Sequence, residues 1–298
     1  MRRFITFMAL LLTLSAGVVF VLEFLFRDYK TTADYLFRRF NKRTTTVETI
    51  YIGNSHIGAF SSVLPDSMHS MVNMSIGGQD IFRMWAVLNK IVPQSPNLKV
   101  VYMGLDYDLI GYNQSKSGQE YIDRQYYKYT GQLYNNTPTN RAMSSSSFFR
   151  SNRDLAYIFA KKVKDTGDEE VANFIPLTSS KANPEECKKR AEEHTLLKFK
   201  NANMAENLAY LAQIVAICHL HNVQLVFINP PKTECYRQYS NPQVLTVAKH
   251  TIDSFITVQH ATYHDFYSDT AFHDTMFADF DHLNYTGVSL LISKLHNP

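Results

Sequence analysis

Three patterns of apolar residues run along this chain, and each predicts a different kind of element. The first covers residues 4–22, which carry no charge at all. At 1.5 Å rise per residue such a stretch nearly spans a hydrocarbon layer about 30 Å thick, so it predicts a transmembrane helix. A cleavable signal peptide would have a shorter apolar run. Ser15, Ala16 and Gly17 imitate its cleavage site, but apolar character continues to Phe26, and we expect an uncleaved anchor over residues 1–26. The second pattern is a set of short β-branched or continuously apolar runs at 47–52, 71–76, 98–103, 223–228 and 261–266, which predict strands. The third has helical spacing, over 81–92, 203–221, 244–256 and 283–295.

Apolar strands alternating with helices argue for an α/β fold, a flavodoxin-like parallel sheet with helices on both faces. Ligands bind such sheets outside the carboxyl ends of the strands. Those ends carry Gly53-Asn54-Ser55-His56, Gly77-Gly78, Gly104-Leu105-Asp106 and Asn229-Pro230-Pro231-Lys232. Residues 27–46, with Arg38, Arg39, Lys42 and Arg43, read as a basic linker, and 47–298 as one α/β domain. Between about 107 and 200 the alternation breaks. This stretch is rich in tyrosine from Tyr107 to Tyr134, then runs through serines 144–147 into Lys/Glu-rich sequence, and it is too long for a plain loop. We expect a helical insertion that caps the crevice.

Composition narrows the class. With 298 residues, 45% hydrophobic and 19% charged, the chain can bury a core without metal or disulfide staples. The net charge of +3 is small, and no Lys/Arg cluster interleaves with aromatics, which argues against nucleic acid as a partner. Arg2 and Arg3 ahead of the apolar run favour a cytoplasmic N-terminus. The domain is then expected on the extracytoplasmic (periplasmic) side of a bacterial cytoplasmic membrane. Cys187, Cys218 and Cys235 form no CxxC motif; in an oxidising compartment Cys187 with Cys235 is the expected pair, because Cys218 falls in an apolar helical run. No HxH, HExxH or carboxylate cluster suggests a metal, and no cofactor is expected.

Candidate chemistry sits at two distant points. Ser55 follows a strand at a sharp turn that Gly53 permits, a setting that exposes a hydroxyl and places backbone N–H groups beside it. Near the other end, the segment from Phe277 to Asn284 leads into the last helix and contains Asp279 and His282. A histidine there suits a general base toward a serine, with the carboxylate three residues earlier fixing its tautomer. His56, next to Ser55, is expected to pack or cap locally or to contact substrate.

These blocks resemble the SGNH (GDSL-type) hydrolase superfamily. Gly53-Asn54-Ser55 resembles its Gly-Asp-Ser block with Asn54 in place of Asp, and Asp279 to His282 its Asp-x-x-His block. Asn73 to Gly78 resembles the block that supplies an oxyanion glycine. The resemblance implies an SGNH-hydrolase-like fold, Ser55 as nucleophile, His282 as base, Asp279 as orienter and Gly78, or else Gly77, in the oxyanion hole. One block departs: Gly104-Leu105-Asp106-Tyr107 stands where Gly-x-Asn-Asp is expected, so Asp106 replaces an amide donor with an acceptor. The implied activity is that of a membrane-anchored serine esterase or O-acyltransferase on acyl esters of a cell-surface glycan, working with a membrane-bound O-acyltransferase. The alternative that Asp106 raises is a catalytically impaired binding or assembly subunit of a glycan-modification machinery.

Overall fold

The computed structural model describes residues 1–27, 30–64, 70–117, 120–150 and 183–296 of the chain. The middle of the expected insertion, 151–182, lies outside the described residues. In chain order the elements begin with α1 (Arg2–Phe26), α2 (Thr32–Asn41), β1 (Thr49–Ile52), α3 (Ser55–Gly58), β2 (Met71–Asn73), α4 (Ile81–Ile91) and β3 (Val100–Gly104). The insertion contributes α5 (Glu120–Thr130), α6 (Pro138–Ser145), α7 (Ser147–Arg150) and α8 (Pro184–Glu192), the last followed by a π-helical turn, Glu193–Lys198. The chain then runs through α9 (Met204–Leu220), β4 (Gln224–Asn229), α10 (Glu234–Tyr239), α11 (Pro242–Gln259), β5 (Thr262–Asp265) and α12 (Tyr285–His296).

All five strands pair in parallel in the order β2-β1-β3-β4-β5. This is the flavodoxin-like α/β arrangement, in which the order reverses beside β1 and opens a crevice at the carboxyl edge. Successive residues of a strand face opposite sides, and both sides are covered here. Ile50, Ile52, Val101, Met103 and Phe227 join one core with α2, α4, α9 and α11. Tyr51, Tyr102, Val226 and Ile228 join a second with Ile57, Phe60 and α12. Burial on both faces is why the strands read as unbroken apolar runs rather than as alternation.

Two segments differ from expectation. The stretch expected as a linker contains α2, capped by Thr31, whose hydroxyl accepts from Asp34 N while Thr31 N donates to the Asp34 carboxylate. Ala33, Leu36, Phe37 and Phe40 form its buried stripe, and the neighbouring arginines and lysines mask that periodicity. The tyrosine-rich half of the insertion, for its part, mostly packs away from the crevice, and among the described residues Tyr112 alone of its tyrosines borders it. Tyr129 stacks on Phe37 with centroids 4.4 Å apart, and Tyr134 meets Phe82 edge-on at 5.4 Å. The crevice is instead walled by α8 and its π-helical turn, tied to α10 by a disulfide between Cys187 and Cys235.

The N-terminal helix is long and apolar enough to cross a membrane, with a mean hydropathy of 2.5 over its best window. Its last turn docks on the insertion. The Glu23 carboxylate accepts from Ser146 Oγ (2.6 Å), Ser147 N (2.7 Å) and Phe148 N (3.2 Å), and buried Phe26 packs against Phe148.

Candidate active site

β1 delivers the chain into a turn that needs glycine. A Cβ on Gly53 would lie 2.6 Å from the Ile57 side chain and 3.4 Å from Gly104 Cα, so only hydrogen fits between β1, β3 and α3. Asn54 caps α3, its Oδ1 accepting from His56 N at 3.0 Å. Ser55 therefore occupies the first helical position, where a backbone N–H has no intrahelical acceptor. Asn73, at the end of β2, fixes this turn from behind by donating to Ile57 O (2.9 Å) and Ser61 Oγ (3.1 Å).

The segment after β5 folds back to the same edge. Phe277 and Leu283 pair as an isolated bridge, and Asp279 Oδ1 accepts from both Asp281 N (3.1 Å) and His282 N (2.8 Å). These bonds make a tight loop that projects the imidazole at α3. His282 Nε2 lies 2.7 Å from Ser55 Oγ, and Nδ1 lies 2.8 Å from Asp279 Oδ2. Two residues 227 positions apart are thus joined by the sheet topology. Asp281 also reaches Nδ1, at 3.3 Å, and is fully buried where Asp279 is partly open.

Asp281 anchors a buried ionic cluster under the serine. It accepts from Arg190 Nε (3.1 Å), approaches His56 Nε2 (3.1 Å) and lies 3.5 Å from His194 Nδ1. The other ring nitrogen of His56 faces Asp106 Oδ1 at 3.0 Å, so this imidazole bridges two carboxylates. Lys232 completes the cluster with its ammonium 3.0 Å from Asp106 Oδ1, both side chains almost wholly buried. Asp106 takes a further hydrogen bond from Asn54 Nδ2 at 3.0 Å. The Asp106 carboxylate is therefore turned into a lysine-histidine-asparagine cage rather than left as a bare charge. His56 packs within the cluster and also borders the cleft.

The charges follow from these contacts. Burial works against the His282 imidazolium, but the Asp281 carboxylate and the hydrogen bonds that the imidazole donates to Asp279 and Asp281 outweigh it and carry the imidazole up to about 9. Burial opposes ionisation of Asp279, yet its bonds to His282 hold the carboxyl below its ordinary range. Asp281 is held well below that range against its burial, by the charge and hydrogen bond of His282 and by His56. Burial would raise Asp106 as well, and the His56 and Lys232 charges hold it far down. His194, short of solvent, is driven by burial to about 2 and stays a neutral imidazole.

Above this cluster opens a cleft of about 210 Å³. It is lined by Asn54, Ser55, His56 and Gly78, by Asp108, Leu109 and Tyr112 from the segment after β3, and by Arg190, His194 and Lys198 from α8 and its π-helical turn. Gly78 has φ +68°, which glycine adopts freely, and it, not Gly77, borders the cleft. Among the described residues, His56, Asp281 and His282 bring potential metal-ligand atoms within 4.8 Å of one another. Arg190, Lys232 and Ser55 already occupy those atoms, and two fixed cations there disfavour a third. Asp108, Arg190, His194, Lys198 and Lys232 lie outside the sequence blocks. Of these only Lys232 carried a signal, its place just past the end of β4.

No family model matches the chain, and no curated protein matches it. Solved structures do resemble it, two of them from Bacteroides species. One is a proposed acylhydrolase of Bacteroides fragilis, 10% identical over 90% of this chain and 96% of that one, with a TM-score of 0.44. The other is a GDSL-like lipase of Bacteroides thetaiotaomicron, 8% identical over 89% and 96%, also with a TM-score of 0.44.

Proposed function

We propose that this protein is a membrane-anchored, extracytoplasmic serine esterase or O-acyltransferase acting on acyl esters of a cell-surface glycan. The observation that carries the reading is the 2.7 Å approach of His282 Nε2 to Ser55 Oγ, with a carboxylate on the opposite ring nitrogen, at the floor of an open cleft. Neutral His282 takes the Ser55 proton as Oγ attacks the acyl carbon. The resulting oxyanion is met by the N–H groups of Ser55 and Gly78. His282 then passes its proton to the departing alcohol, leaving an acyl-Ser55 ester. Water, or a sugar hydroxyl, attacks that ester by the same steps in reverse.

The cationic residues Arg2 and Arg3 at the start of α1, and the disulfide, support an extracytoplasmic domain. A membrane-bound O-acyltransferase is the natural donor partner for the transfer form of the reaction. Incubation with a fluorophosphonate probe tests the core of the proposal. Covalent labelling of the wild-type protein, its absence in Ser55→Ala, and parallel loss of acetyl-ester release are expected. Equal labelling of the two proteins would sink the assignment of Ser55.

A further inference from the structure

We infer that the Ser55 cleft takes an ester with an anionic group, a carboxylate or phosphate, near the scissile bond, and that Arg190 and Lys198 hold that group. The inference builds on the reading of Ser55 as nucleophile. Arg190 uses its Nε on Asp281, at 3.1 and 3.2 Å, with its side chain 32% exposed in the cleft wall. Among the described residues no hydrogen bond engages its two terminal nitrogens. A guanidinium held by Nε presents those nitrogens as a fork, the geometry that matches a carboxylate or phosphate.

Lys198 stands on the same wall, at the end of the π-helical turn, paired with Glu193 at 2.7 Å. Both partners are exposed by more than a third, and such surface pairs contribute little, so a ligand anion can exchange with the Glu193 carboxylate at small cost. Opposing charge is scarce. Among the described residues Asp108 is the one carboxyl that lines the cleft, and burial together with the neighbouring Asp106 pushes it toward the neutral form, against the weaker pull of Lys232 and His56. Asp281, beneath, is already paired with the Arg190 guanidinium and in contact with His56 and His282. Among the described residues, the cleft therefore presents two cations to a substrate, and the carboxyl facing them is pushed toward its neutral form.

The anion can belong to the acyl group or to the alcohol, and two ester pairs separate these sources. Full-length protein in detergent at low salt is assayed with p-nitrophenyl acetate against p-nitrophenyl succinate, and with phenyl acetate against 4-acetoxybenzoate. The anionic member of at least one pair is expected to be favoured about tenfold or more in kcat/KM, mainly through KM, and the ratio to shrink at high salt. Arg190→Gln and Lys198→Gln should each reduce that ratio. Independently of turnover, calorimetric titration of inorganic phosphate into the Ser55→Ala protein should show binding that Lys198→Glu removes. Neutral-ester turnover that depends on Ser55, with no charge preference and no phosphate binding, overturns this inference while leaving the serine reading intact. If Ser55→Ala turns over esters as fast as wild type, the serine reading falls, and the phosphate titration alone decides for or against the anion site.

Discussion

His282 holds two carboxylates at one nitrogen, Asp279 at 2.8 Å and Asp281 at 3.3 Å, and this sets the pH at which the site can work. An imidazole carried up to about 9 is protonated at neutral pH, and a protonated base cannot accept the Ser55 proton. We predict that kcat/KM rises about tenfold per pH unit below 9 and levels off above it, read from a pH–rate profile on a neutral ester. Asp281→Asn removes one of the two charges, and its profile should level off at least about one unit lower; an unmoved midpoint would exclude Asp281 as the cause. Stability runs the opposite way. A folded pKa above the ordinary 6.5 contributes stability that is complete below 6.5 and lost as pH rises through 9, on the order of 3 kcal/mol for a buried group. The cage around Asp106 makes a second residue-scale prediction. Lys232→Met strands a buried carboxylate and should cost roughly 3–5 kcal/mol in urea unfolding, most of it recovered when Asp106→Asn is added. Equal stability of wild type and the single variant would show that the ammonium does not compensate that charge.

At the scale of elements, the two cations that neutralise the buried carboxylates sit on segments joined by one covalent bond. Cys187 lies one turn before Arg190 on α8, and Cys235 lies three residues after Lys232 on α10. Closing that 48-residue separation is worth about 4 kcal/mol in the chain-entropy account. Reduction, or Cys187→Ser with Cys235→Ser, is predicted to lower the unfolding free energy by a comparable amount and to slow ester turnover as Arg190 loosens from Asp281. Turnover unchanged under reductant would mean that α8 is held by its packing alone. These elements also mark where the sequence stops being informative. The strands, and helices such as α4 and α9, were legible because continuous apolar runs and 3.6-residue spacing are local signals. Ser55, Gly78, Asp279 and His282 were legible because each lies in a short block at a strand or helix boundary, and the sheet brings the four to one edge. Arg190, Asp108 and the burial of Lys232 were not, because their roles come from contacts made across tens to hundreds of positions. In α2 a signal was present: Thr31 and Asp34 as a capping box, with Ala33, Leu36, Phe37 and Phe40 at helical spacing. The basic residues beside it drew the reading toward a linker.

For the whole molecule, the decisive contact is the one between α1 and the rest of the chain. A tether would leave the cleft free to tumble above a bilayer. Here the last turn of α1 is instead fastened to the insertion by Glu23, which takes three hydrogen bonds around the start of α7, and by Phe26, which is buried against Phe148. A glutamate near the end of an otherwise apolar helix is costly inside hydrocarbon and useful at its border, where it offsets unpaired N–H groups of another helix. The apolar residues before it are exposed almost throughout, as expected of a lipid-facing surface. With α1 as the proposed anchor, the cleft is held in one attitude toward the membrane, which suits the proposed action on a cell-surface glycan. Two truncations separate the docked turn from the spanning part. Removing residues 2–22 should leave a water-soluble protein with the thermal midpoint of the parent domain. Removing residues 2–27 also strips Phe26, whose burial is worth about 1.5–3 kcal/mol, and the Glu23 cap, so its midpoint should fall by several degrees. Identical midpoints for the two would show that α1 is only a tether, and the fixed attitude of the cleft would have to be abandoned.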